Sequence, residues 1–316
     1  MKNNIITYET YYGTSKRTAE ILALIIGNAK VYSIDDAPEN ISMYDNVISV
    51  FAFHGYITGQ KTMKYLKDLN KSLNGKSLGL VGVGLMENDI NNYGKLIEDA
   101  IGRKADFTKF IEGELRINKL TEEDRGVLEK FLGEHNIKFM DMGKFKVEEV
   151  CEEACIIKEL LEKHNKKLDE YELQKAIDDY ISSKNTCTLT SGVCEFIRST
   201  PIEYSYVNGC FYFFTEGGLK FKGILQNPNV SICIYDDYSG MVNLKGLQIT
   251  GKAELISIGS DEYKELLEVK KLKFENINKL PVNLNLLKVY PVKFEFLNSD
   301  FKKFEVDVKQ KLEKTY

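Results

Sequence analysis

Ile5-Ile6-Thr7-Tyr8-Glu9-Thr10-Tyr11-Tyr12-Gly13-Thr14-Ser15 opens as a β-branched run, breaks into hydroxyls around a glycine, and then turns helical. Ser15 is the expected cap of that helix, and Ala19, Leu22, Ile25 and Ile26 recur at the spacing of one apolar helix face. A strand that runs straight into a helix aims several backbone N–H groups and the positive helix end at one point, which suits a phosphate. Thr10, Thr14 and Ser15 add hydroxyl donors without adding charge. That pattern fits a phosphate monoester held with no metal. A Gly/Thr turn before a helix also serves as an ordinary turn, so the surrounding chain has to decide.

Working outward, Val31–Ser33 is a weak second strand and Asn46–Ala52 a strong third one, apolar enough to be buried on both faces. A helix through Met63, Leu66 and Leu69 follows. Ser77–Val83 is a fourth strand, Leu96–Ile101 lies on a further helix, and Phe107–Ile111 is a fifth strand. Strands alternating with helices at this spacing predict a doubly wound parallel α/β sheet. Ligands of such sheets bind outside the carboxyl ends of the strands. That rule selects three loops: Thr10–Ser15, Phe53–Thr58 and Gly84–Asp89.

The chain has 316 residues, a length for two domains, with 43% hydrophobic and 28% charged residues and ample core. A net charge of −4 with no basic stripe argues against a nucleic-acid or membrane-surface partner. Met1–Asn4 leads directly into a strand and no apolar run approaches about 20 residues, so a cytoplasmic location is expected. Six scattered cysteines form no CxxC pair. Cys151 and Cys155 share a helix face without a flanking histidine and read as half-buried small hydrophobes.

The opening stretch resembles the phosphate loop of the flavodoxin family at Ile6, Tyr8, Thr10 and Gly13, with departures at Thr7 and Ser15. Phe110–Leu120 followed by Thr121-Glu122-Glu123-Asp124-Arg125 is similar to the flavodoxin-domain subgroup that includes the oxygen-independent type of protoporphyrinogen oxidase. The resemblance covers about residues 1–150 and implies FMN as cofactor. It implies Thr10, Tyr12, Gly13, Thr14 and Ser15 at its phosphate and Gly84 in the third loop. The second loop is rich in flat side chains, and His54, Gly55 and Tyr56 are expected beside the isoalloxazine ring, His54 and Tyr56 flanking it.

Lys146–Ser183 is helical and charged, with a break near His164-Asn165. Val147–Lys163 closes the first domain, residues 1–165, and Glu170–Ile181 opens the second, residues 166–316. The charge there reads as a solvated face. After Lys184 the pattern changes to short strands at 186–190, 194–202, 204–207, 210–215, 230–235 and 246–256. Asn208-Gly209 is a two-residue hairpin signal. Many short strands predict a small antiparallel barrel.

Four ordered blocks in this half, Arg198-Ser199-Thr200-Pro201-Ile202, Tyr212–Lys222, Asn227–Ser231 and Thr250–Glu254, resemble the pyridoxamine-phosphate-oxidase-like FMN-binding split barrel. The Lys–x6–Asn-Pro spacing from Lys220 to Asn227 belongs to that family. The resemblance implies that the Arg198–Pro201 block, Lys220 and Lys222 meet the FMN phosphate and ribityl chain, with Thr215 and Glu216 nearby. Arg as a fork and Lys as a point charge suit a phosphate dianion. Gly218 stands where the family usually has Ser. The absence of Trp and of an Arg-rich tail argues against vitamin B6 oxidation.

The expected function is that of a two-domain FMN oxidoreductase passing electrons between two flavins, with a small substrate on the barrel. The alternatives are a protoporphyrinogen-oxidase-like enzyme and a non-catalytic electron carrier or flavin-binding module. By the same split-barrel resemblance, a homodimer through the C-terminal domain is expected.

Overall fold

The structure, a computed structural model, describes residues 2–54 and 57–314. The chain forms two compact units, Met1–His164 and Asn165–Tyr316. The first unit runs β1 (Asn4–Glu9), α1 (Thr14–Ile26), β2 (Ala29–Ser33), β3 (Asn46–Ala52), α2 (Gln60–Asp68), β4 (Ser77–Gly84), α3 (Asn88–Ile101), β5 (Phe107–Glu112), β6 (Glu114–Leu115), α4 (Glu122–Glu134), β7 (Met142–Gly143) and α5 (Val147–Glu162). Its five-stranded parallel sheet has the order β2-β1-β3-β4-β5.

Strand alternation sorts the core into two layers. Ile6, Ile48, Val50, Val81 and Val83 face Ala19, Leu22, Val150, Ala154 and Ile157 of α1 and α5. Ile5, Val47, Phe51, Leu78 and Leu80 face Leu66, Ile97 and Ile101 of α2 and α3. Each buried Val, Leu, Ile or Phe side chain among them contributes roughly 1.5–3 kcal/mol. With helices on both faces, the sheet's carboxyl edge is left to loops. Between β5 and α5 the chain makes an excursion containing the β6–β7 pair and α4, whose one fully buried side chain is Leu132.

The second unit runs α6 (Glu170–Ser182), β8 (Thr186–Val193), β9 (Phe196–Glu203), β10 (Ser205–Val207), β11 (Cys210–Thr215), α7 (Lys220–Ile224), β12 (Asn229–Tyr235), β13 (Lys245–Ile256), α8 (Asp261–Val269), α9 (Phe274–Ile277), β14 (Asn285–Asn298) and β15 (Lys309–Glu313). Its strands form one curled antiparallel sheet, a split barrel, in the order β10-β11-β14-β13-β12-β8-β9, with β15 on β14. Phe211, Phe213, Val289, Phe294 and Phe296 fill it, and Leu173, Ile177 and Ile181 of α6 pack against them. The hairpin at Asn208-Gly209 has positive φ at both residues, 51° and 78°, as a type I′ turn requires.

β14 and β15 are absent from the sequence reading. Pro291 lies in the middle of β14 and argues locally against a strand. The register with β13 shifts there: Gly251 pairs with Pro291 and Thr250 with Lys293. That bulge accommodates a residue with no N–H to give the ladder. Among the described residues no helix is long and apolar enough to cross a membrane.

Candidate functional sites

The loop after β1 differs from the expected cap. Gly13, at φ 93°, is the N-cap of α1, and Ser15 is the second helical residue rather than the cap. Gly13 takes that place because its left-handed φ lets the chain turn directly out of the strand. Thr10 stabilises the turn, its hydroxyl accepting the Gly13 N–H at 3.0 Å. The helix end itself is left open. No side chain caps it, no acidic residue lies in its first turn, and the N–H groups of Thr14, Ser15 and Lys16 lack an intrahelical acceptor. Ser15 is fully buried, and its Oγ has no hydrogen-bond partner. An unpartnered buried hydroxyl beside an uncapped helix end is an arrangement that an anion would complete.

His54 lies flat on Tyr11, ring centroids 4.0 Å apart and planes at 13°, and its Nε2 lies 3.2 Å from Asp124 Oδ1. Tyr12 donates its hydroxyl to Asp124 Oδ2 and accepts the Thr121 N–H at 3.4 Å. Tyr11 in turn is hydrogen-bonded to Glu9 at 3.4 Å, and the buried Glu9 carboxylate accepts both the N–H and the hydroxyl of Thr62. Burial and the Glu9 carboxylate push the Tyr11 phenol up to about 12. The Tyr12 hydroxyl, and after it the neighbouring His54 ring, hold the Asp124 carboxyl below its ordinary value. Gly55 and Tyr56 lie outside the described residues. Gly84 has a packing reason: a Cβ there would sit 2.1 Å from the Phe53 ring.

In the second unit, Arg198 on the edge strand β9 pairs directly opposite Ser191 of β8. Residues opposite each other in a ladder share a face, so Arg198, Thr200 and Phe196 lie on the side where Ser191 meets α7. The Ser191 hydroxyl donates to the Lys220 carbonyl at 2.9 Å, and the Lys222 amine lies 4.6 Å over the Phe196 ring. Ser199 and Pro201 alternate to the opposite face, where the Ser199 hydroxyl pairs with Thr190 at 3.0 Å. The block expected to act as one group is therefore divided between two faces.

Lys220 is 5% exposed, and its amine folds back onto the Gly217 carbonyl. Burial pushes its pKa down, while Glu216 nearby acts in the other direction. Thr215 braces the turn, its hydroxyl bonded to both the N–H and the carbonyl of Gly217. Gly218 has φ 110°, a conformation that a serine there would adopt only under strain.

Sequence reasoning missed Tyr11, Thr121, Asp124 and Ser191 as site components. Thr121-Glu122-Glu123-Asp124 carries a cap signal, and the Thr121 hydroxyl does accept the Asp124 N–H. Nothing local to Asp124 announces a partner 112 residues away.

The sequence family described as Flavodoxin domain matches residues 5–138. No curated protein matches the chain. Among solved structures, a putative pyridoxamine 5'-phosphate oxidase from Listeria innocua is 21% identical over 40% of this chain and 98% of its own, with a TM-score of 0.34. A FAD-binding protein from Mesorhizobium loti is 17% identical over 38% and 89%, TM-score 0.31. The heme storage protein HutZ of Vibrio cholerae is 13% identical over 38% and 89%, TM-score 0.32. The chain thus carries a match to the Flavodoxin domain model over residues 5–138 of its parallel α/β unit, followed by a unit built on one curled antiparallel sheet.

Proposed function

We propose that this protein is an FMN-dependent redox protein whose flavodoxin domain holds the cofactor by its phosphate at the β1–α1 turn. The observation that carries the reading is the buried, unpartnered Ser15 Oγ beside the uncapped N-terminus of α1. The backbone N–H groups of residues 14–16 and the Ser15 hydroxyl would bind the phosphate, and Thr10 would keep the turn in shape through Gly13. Tyr11 and His54 offer flat faces at the same sheet edge. A bound flavin supplies reversible electron transfer, while the protein's part is binding, orientation and exclusion of water.

In the second unit, Arg198, Thr200, Lys220 and Lys222 are the residues proposed for a second FMN, supported by the shared face that the β8–β9 register gives Arg198 and Thr200. A small substrate at that flavin and electron passage between the two sites complete the proposal. Ile197, Leu219 and Leu225, exposed around Arg198 and α7, support pairing of two copies through this unit.

The decisive experiment is the visible spectrum of the purified, FMN-reconstituted protein, with chromatography of the acid-released cofactor. Two equivalents of FMN per chain are expected. Released FAD, or colourless protein after reconstitution, overturns the reading. Light scattering tests the dimer: a monomeric protein binding FMN tightly in its second unit leaves pairing without a role.

A further inference from the structure

Three separate pieces of the first unit meet at one carboxylate. Asp124 stands at the third position of α4, in the excursion between β5 and α5 that the sheet does not require for its own closure. Oδ2 accepts the hydroxyl of Tyr12 from the phosphate turn, and Oδ1 contacts Nε2 of His54 from the loop after β3 at 3.2 Å. The N–H of Thr121, the α4 cap, donates to the same Tyr12 oxygen. Apolar packing does little to hold this helix down, since Val127 and Phe131 are 67% and 50% exposed and Leu132 alone is fully buried.

We propose that Asp124 is a positioning residue of the flavin site, fixing the His54 ring and the Tyr12 phenol and tying the excursion at about 114–143 to the phosphate turn. The assignment rests on the flavin reading above. A carboxylate with two oxygens and two donors on different loops sets both orientations at once. With Oδ1 as acceptor, the His54 proton facing it must sit on Nε2, which fixes the ring's flip and leaves its face on Tyr11. The titratable groups facing His54 are Asp124, Tyr11 and Tyr12, with Glu9 behind Tyr11. Binding at the turn and order in the excursion are therefore coupled: a ligand that holds Tyr12 in place also holds α4, and the reverse follows by linkage.

The test uses the full chain with Asp124→Asn, which keeps shape but not charge, Asp124→Glu as the conservative variant, and Tyr12→Phe, which removes one donor. In flavin-free protein, nuclear magnetic resonance follows the hydrogen-bonded imidazole N–H, and hydrogen exchange follows residues 114–143. FMN titration then gives affinity. For Asp124→Asn we expect loss of the downfield imidazole resonance, faster exchange across 114–143, and FMN binding about tenfold weaker. Asp124→Glu should recover the resonance and most of the affinity. Tyr12→Phe should keep the resonance while weakening FMN several-fold. Retention of both the resonance and the protection in Asp124→Asn overturns the proposal. So does wild-type FMN affinity in that variant, which leaves the flavin reading standing. Failure of the wild type itself to bind FMN overturns the flavin reading, a result visible without any variant.

Discussion

Ser191 and Lys220 are joined by a buried hydrogen bond, 2.9 Å from hydroxyl to carbonyl oxygen, which fixes α7 against β8 directly opposite Arg198. Ser191→Ala leaves that carbonyl without its partner and should lower the stability of the second unit by about 1–2 kcal/mol. A Cβ added at Gly223 would lie 2.9 Å from the Ser191 hydroxyl and 3.0 Å from the Gly192 nitrogen, so α7 comes this close to β8 only with glycine at that position. Urea unfolding measures the loss. An unchanged midpoint would show that α7 is held by its apolar contacts alone.

Ser15→Ala should separate stability from binding. The hydroxyl is buried without a partner, so its removal should leave the flavin-free protein as stable as the wild type or slightly more so. FMN affinity should fall about tenfold, equivalent to about 1.4 kcal/mol for a lost phosphate contact. Thermal melts and fluorescence titration give the two quantities. A destabilised variant with undiminished affinity would mean that the hydroxyl is a packing element.

Lys220→Met tests whether a buried cation is kept for a ligand. Because burial pushes the Lys220 pKa down, the unfolded chain binds more protons between that lowered value and about 10.5. Wild-type stability should therefore rise with pH across that window, and the difference between wild type and Lys220→Met should carry this slope. Near pH 7 the variant should be more stable by on the order of 1 kcal/mol and should lose the flavin of the second unit. A variant that is less stable at neutral pH would assign Lys220 to structure.

Alkaline titration has a defined sign. Burial pushes the phenols of Tyr11, Tyr65 and Tyr212 up to about 12 from an ordinary value near 10. Between those values the unfolded chain has released protons that the folded chain retains, so stability should fall as pH rises through 10 to 12. Tyrosinate absorbance should show these three among the late-titrating phenols, together with Tyr44, Tyr180 and Tyr204, and Tyr11→Phe should remove one late equivalent. If all tyrosines titrate together near 10 while the fold persists, their burial is not maintained in solution.

Short-range spacing carried most of the first unit. Asn46–Ala52 is legible because a strand buried on both faces is an unbroken apolar run, and the expected turn between β1 and α1 is where Gly13 places it. The Asn208-Gly209 hairpin is legible because few residues tolerate two successive positive φ values. The limits of local reading appear at β14, where Pro291 denies a strand that the bulge against β13 permits. They appear again at β9, where only the pairing with β8 puts Arg198 and Thr200 on the face of α7 and turns Ser199 away. Asp124 is the furthest case, since its meaning depends on Tyr12 and His54 arriving from two other loops. Periodicity and turn chemistry act over a few residues and are written in the sequence. Which side chains meet is set by how finished elements pack, and that information is spread over the whole chain.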